Sequence, residues 1–336
     1  MGDVAMTVPV VYSLAMQYPD LRITVLSRKF ARPFFENLAP NVDFMEADLK
    51  GEYRGVKGLN ALYRRLTAKK FTKIADLHNV LRSDYLRMRF NISRYRVEHI
   101  TKNRSQRRAL VAKKNKVLKP LPTPFERYAE VFEKLGYPVK LEFHSLFPSE
   151  GGDLGLLPSA VGQKKEAELW IGIAPTAAHP GKCYPADQMR KVVERLVTTH
   201  PQVRIFLFGR GEEEDRLFTA WCAAFPQCVY VSRYLESLYQ ELILMSHLDV
   251  MLSMDSANMH LASLTATPVV SVWGATHPYA GFMGWQQSLE NAVQAELDCR
   301  PCSIYGNRLC HRGDMACMNR IQPEQIIEKV EQIINF

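Results

Sequence analysis

Leu252-Ser253-Met254-Asp255-Ser256-Ala257-Asn258-Met259-His260-Leu261-Ala262 runs from apolar residues through small polar ones into apolar residues at helical spacing. The first part reads as a buried strand, the last as a helix opening near Ser256. Around this junction the pattern repeats. Strands are expected at 170–174, 203–208, 228–231, 249–253 and 268–273, with helices at 185–200, 212–223, 235–246 and 259–265 between them. Regular β and α alternation implies a parallel sheet with helices on its faces. The earlier residues follow suit, with helices at 4–18, 32–38, 59–67 and 125–135 and strands at 21–26, 42–45 and 74–77. The expected class is therefore α/β, two Rossmann-like doubly wound domains facing a central cleft, where ligands meet the carboxyl ends of the strands.

A length of 336 residues fits two domains. The glycine- and proline-rich stretch 147–163 places the boundary, giving domains 1–155 and 156–336. The last helix is expected to pack back on the N-terminal domain. A sheet of this kind ordinarily opens with a strand before its first helix, yet only two residues precede Asp3. The natural chain is therefore expected to carry about ten further residues that form that strand and hold Asp3.

With 47% apolar and 23% charged residues, the composition excludes a disordered or collagen-like chain. No apolar run reaches the roughly 18 residues of a membrane span, and no secretory signal opens the sequence. A cytoplasmic location with mostly reduced cysteines is the expectation. The net charge of +8 is concentrated: residues 82–119 hold thirteen Lys or Arg against Asp84 and Glu98. Such an excess suits a nucleic acid, a phosphorylated glycolipid or an anionic leaflet, or forms merely a solvated helical face. Aromatic residues are sparse there and no nucleic-acid-binding motif appears, which disfavours a nucleic-acid partner.

Three strand-to-helix loops of the second half suit a phosphorylated ligand. At the helix opening near Ser256, unsatisfied backbone N–H groups and the helix dipole favour an anion; Asp255 or Ser256 could equally serve as a helix cap. His260 shares a face with Ser256 one turn on. The segment 174–185 again joins strand to helix, offering Thr176 and the point cation of Lys182. In Phe208-Gly209-Arg210-Gly211-Glu212-Glu213-Glu214 the acids complement a helix dipole or accept bonds from ribose hydroxyls. Gly-x-Gly lacking its third glycine is not a nicotinamide site. Cys299, Cys302, Cys310 and Cys317, with His311 nearby, could coordinate zinc or remain free thiols; Cys183, Cys222 and Cys228 read as small core residues.

Three elements together resemble glycosyltransferase family 9, the ADP-heptose–lipopolysaccharide heptosyltransferases. They are Met1-Gly2-Asp3-Val4-Ala5-Met6-Thr7-Val8-Pro9, Lys182-Cys183-Tyr184-Pro185, and the Asp255-to-His260 turn with its continuation Pro268-Val269-Val270-Ser271-Val272-Trp273-Gly274-Ala275-Thr276-His277-Pro278. The resemblance implies a GT-B fold, with an acceptor-binding first domain and a nucleotide-sugar-binding second. It implies inverting transfer of heptose, or a related sugar, from ADP-heptose to a lipopolysaccharide inner-core acceptor, with no metal or other cofactor. Alternatives are another GT-B nucleotide-sugar transferase or an epimerase. By position, Asp3 would be the general base and Lys182 would hold the leaving diphosphate. Thr176, Glu213, Asp255, Ser256, Ala257 and His260 would line the donor pocket. In the basic stretch, Arg82, Arg87 and Arg89 would meet an anionic glycolipid at the inner membrane surface. The chain departs from the pattern at Ala257, where the family has glycine, and at Tyr184, where tryptophan is common.

Overall fold

The computed structural model describes residues 1–334. It forms two compact units, one of residues 1, 3–103 and 122–144, the other of residue 2, residues 104–121 and the chain from 145 onward.

The first unit opens with α1 (Gly2–Ala5) and α2 (Val8–Gln17). Apolar spacing predicts one helix over 4–18, but the chain re-starts at Thr7, whose hydroxyl and amide both bond to Val4 O. Pro9, lacking an N–H, is accommodated in the first turn of α2. β1 (Ile23–Ser27) and β2 (Val42–Glu46) form one parallel pair, with the short α3 (Arg32–Phe35) between them. α4 (Gly55–Ala68) leads to β3 (Lys73–Asp76); α5 (Leu81–Ile92) then crosses to β4 (Arg96–His99), parallel to β3. Leu62, Tyr63, Leu66 and Phe90 make the apolar centre of this part.

Asp76 ends β3 with its Oδ1 accepting from the amides of His78 and Asn79, while its Oδ2 lies 3.4 Å from Arg87 Nε. Arg87 also pairs with Asp84. Arg89 donates to Asn60 and lies over the Tyr63 ring. Arg87 and Arg89, expected to meet an acceptor, thus spend contacts on the fold, whereas Arg82 is exposed. α7 (Pro124–Lys134) closes the unit behind a capping box in which Thr123 and Glu126 satisfy each other's amides.

Between these elements, α6 (Arg104–Leu110) and the residues to 121 precede the 155/156 boundary read from composition, yet they pack with the second unit. The cause is local: Lys116 Nζ donates to the carbonyls of Asp298, Arg300 and Pro301, and Leu121 N to Tyr279 O.

The second unit is built on six parallel strands: β5 (Leu169–Ala174), β6 (Val203–Leu207), β7 (Cys228–Tyr230), β8 (Val250–Met254), β9 (Val269–Trp273) and β10 (Ala292–Gln294). Their order, β7-β6-β5-β8-β9-β10, is the doubly wound order in which the first and fourth strands lie side by side. Near-continuous burial along β5, β8 and β9 is what helices on both faces require. α8 (Ala186–Thr199), α9 (Glu212–Ala224), α10 (Leu238–Met245) and α11 (Ala257–Leu264) supply the connections, with α12 (Ala316–Asn319) following β10. The final helix, α13 (Pro323–Ile334), corrects the expectation that it returns to the N-terminal domain. It packs on α8 and beside β8 to β10, because Ile326, Ile327 and Val330 complete the apolar core of this sheet.

Candidate functional site

The strand order decides where a ligand fits. Between β5 and β8 the direction of winding reverses, and Ala174 pairs with Ser253 at the carboxyl ends of these two strands. The loop after β5 carries Thr176 and Lys182; the loop after β8 carries Asp255 and Ser256 and opens α11. A third loop, after β9, is knitted to the first by Ala275 N donating to Gly181 O at 2.8 Å.

These loops bring Lys182 and Asp255 together, with Nζ 2.9 Å from Oδ2 and side chains only 15% and 4% exposed. The contact is an ion pair without the alignment of a hydrogen bond. Its partners lie on different loops and meet only because β5 and β8 are neighbours. Ser256 is the N-cap of α11 in extended backbone, yet its side chain caps nothing and instead meets Ser253 Oγ at 3.2 Å. The first turn of an eight-residue helix is therefore left without a side-chain cap, directly after the Asp255 that pairs with Lys182. Ala257 is half-buried there, and His260 is buried one turn further on. Thr176 is half-buried at the opposite loop, whereas Glu213 stands exposed in the first turn of α9. Glu214, not Glu213, folds over the glycine loop: a Cβ on Gly211 would meet its Oε2 at 2.6 Å. Asp3, in the first turn of α1 in the other unit, is exposed.

Several residues that hold these loops escape sequence reading. Arg300 is buried without a carboxylate partner; its guanidinium donates instead to Gly274 O, Ala295 O, Trp273 O, Thr276 O and Gln294 Oε1. It fixes the turn leaving β9. Burial, then the charges of Arg300 and Lys116, pull the His277 imidazole down to about 4, so at neutral pH its uncharged Nδ1 accepts from Tyr279 N. Thr276 Oγ1 is buried with no partner at the same turn. Replacing Arg300 by Met strands those carbonyls, and the expected loss is about 3 kcal/mol of stability in a denaturant titration.

Gly306 has φ of +75°, and a Cβ there would lie 2.6 Å from Lys182 Cγ. The methylene stem of Lys182 thus runs under this turn, which aims its ammonium at Asp255. Gly306→Ala is expected to cost about 1–3 kcal/mol, read as a lower melting temperature, because it is strained by both backbone and contact.

The cysteine-rich segment has no metal-like geometry: among the described residues, no group of three or more His, Cys, Asp or Glu side chains could hold an ion. All seven cysteines are free thiols. Burial pushes Cys302 up and Cys317 up to about 11, which makes both poor nucleophiles. A cavity of about 290 Å³ lies here, lined among others by Lys113, Lys116, Asp298, Cys299 and Cys302; none of the residues of the β5–β8 crevice lines it.

The second unit is thus a doubly wound parallel sheet with a lysine and an uncapped helix start at its switch point, and the α/β fold is of the GT-B class. The sequence profile of glycosyltransferase family 9 (heptosyltransferase) matches residues 59–311, and the chain belongs to that family; it is a glycosyltransferase. It is 25% identical over 306 residues to lipopolysaccharide heptosyltransferase 3 of Escherichia coli (strain K12), covering 87% of this chain and 84% of that one. A 23% identity over 176 residues links it to lipooligosaccharide heptosyltransferase 2 of Campylobacter jejuni subsp. jejuni serotype O:6 (strain 81116 / NCTC 11828). That match spans 50% of this chain and only about half of the relative, 52%. The fold is shared with a family 9 glycosyltransferase from Veillonella parvula DSM 2008, at TM-score 0.72 and 18% identity over 100% of this chain and 94% of that one. It is shared too with Escherichia coli ADP-heptose lps heptosyltransferase II, at TM-score 0.65 and 16% identity over 98% and 95% of the two chains.

Proposed function

We propose that the protein transfers heptose from ADP-heptose to the inner core of lipopolysaccharide, with inversion and without a metal ion. The observation that carries this reading is the Lys182–Asp255 pair beside the uncapped start of α11. A departing nucleotide diphosphate needs its growing charge met, and a lysine with a helix N-terminus can meet it without a divalent cation. In the reading, the diphosphate draws Lys182 away from Asp255 and takes the amides at Ser256 and Ala257. Thr176 and His260 shape the pocket around it, and Glu213, exposed at α9, accepts from the ribose. Asp3 removes the acceptor hydroxyl proton as its oxygen attacks the anomeric carbon. The acceptor is an anionic glycolipid at the inner membrane face, met by the basic stretch of which Arg82 is the exposed candidate; no helix among the described residues is long and apolar enough to cross a membrane.

Calorimetry of the protein with ADP, UDP and GDP, each in the presence of EDTA, tests the donor side. ADP is expected to bind on the order of tenfold or more tighter than the other two, a gap of about 1.4 kcal/mol. Equal binding of all three, or binding that EDTA abolishes, would overturn the donor or the metal-free assignment.

A further inference from the structure

Helix α5 is apolar on two opposite sides. With about 100° per residue, Leu86 and Phe90 fall on one face. That face turns into the unit, where Phe90 is 2% exposed and its ring meets those of Tyr63 and Tyr95. Leu81, Tyr85, Met88 and Ile92 fall together about half a turn away. Of these, Leu81 is 87% exposed, Ile92 72% and Met88 49%. Tyr85 is half-buried, its hydroxyl tied to Asn60. Tyr85 apart, the stripe is left to solvent.

Its borders are unequal in charge. Arg82 and Arg89 run along one edge, and exposed Arg94 follows the end of the helix. On the other edge stand Asn91 and Asp84, and Arg87 already neutralises the latter. An apolar ridge rimmed by arginines fits the interface of an anionic bilayer, where leucine and isoleucine enter the acyl boundary and guanidinium groups reach the headgroups. A second copy of the chain fits less well, because antiparallel pairing along the stripe would set the arginine edge against itself.

We infer that α5 is the element by which this protein docks on an anionic lipid surface, with Leu81, Met88 and Ile92 inserted and Arg82 and Arg94 at the headgroup level. The inference rests on the proposed lipid-borne acceptor and names the surface that approaches it.

The test uses the full chain in flotation with vesicles of phosphatidylcholine alone or mixed with phosphatidylglycerol. The parent is expected to float with the anionic vesicles, less so as salt rises, and hardly at all with the zwitterionic ones. Leu81→Glu/Ile92→Glu is expected to reduce partition on the order of tenfold, and the milder Leu81→Ser/Ile92→Ser to reduce it in the same direction. Both changes lie on a solvent-exposed stripe, so unchanged melting and unchanged ADP calorimetry serve as the check on folding. Equal flotation of parent and variants would overturn the docking role. So would a parent dimer that the variants dissolve while vesicle binding persists, or retention on RNA with no vesicle binding. Loss of flotation with ADP binding intact supports the docking role; failure of the parent itself to bind ADP would count against the donor reading, not against the surface.

Discussion

A Lys182→Met/Asp255→Asn double variant is expected to fold like the parent and to transfer sugar on the order of 10²–10³-fold more slowly. Both charges are needed to read this result. Lys182→Met alone leaves the Asp255 carboxylate buried opposite an apolar chain, and the expected cost is about 3–5 kcal/mol of stability, so its lost activity would be ambiguous. Removing both charges takes away the stranded carboxylate along with the lysine. Melting curves of the single and double variants should therefore diverge while their turnover stays equally low. A double variant that works at the parental rate would show that the lysine serves only to neutralise Asp255, and the proposed role in holding the diphosphate would fall.

The Asp3→Asn variant is expected to lower kcat by about 10²–10⁴ while leaving ADP binding unchanged. Asp3 lies inside the first turn of α1, and the nearly isosteric asparagine gives up only the charge–dipole contribution there, about 0.3–1 kcal/mol. The substitution therefore separates two roles, since a residue needed only to start α1 would tolerate it. A kcat within a few-fold of the parent would remove Asp3 from the mechanism, whereas a rise in the donor Kd with kcat intact would move it to the binding side.

How much of this was readable in advance depended on range along the chain. The strand-to-helix junctions of the second half were legible, because β5, β6, β8 and β9 are apolar runs of five or six residues, and small or polar residues follow them. β4 and β10, with four and three residues, are too short to show a pattern, and the split between α1 and α2 turns on a single hydroxyl at Thr7. Lys182 and Asp255 were each legible as candidates; their pairing was not, since it depends on which strands are neighbours. Arg300 carries no sequence signal of its own, and Lys116 is one of the thirteen cations of the basic stretch 82–119. Their partners are backbone carbonyls, which no side-chain pattern advertises, and for Lys116 those carbonyls lie more than 180 positions away. The same blindness covers Arg87 and Arg89, where a local excess of positive charge conceals that individual guanidinium groups are already engaged.

The excursion of residues 104–121 into the later unit has a practical corollary for dissecting the enzyme. Leaving Gly2 aside, the polypeptide passes from one unit to the other at three places, so a single cut near 144 cannot release two self-sufficient pieces. A fragment beginning at 145 would lack the ammonium that ties together the carbonyls of Asp298, Arg300 and Pro301, while the complementary fragment would trail that helix with nothing to receive it. Chimeras that exchange halves between relatives should therefore carry this inserted stretch with the later half, or leave the carbonyls of Asp298, Arg300 and Pro301 without their shared donor.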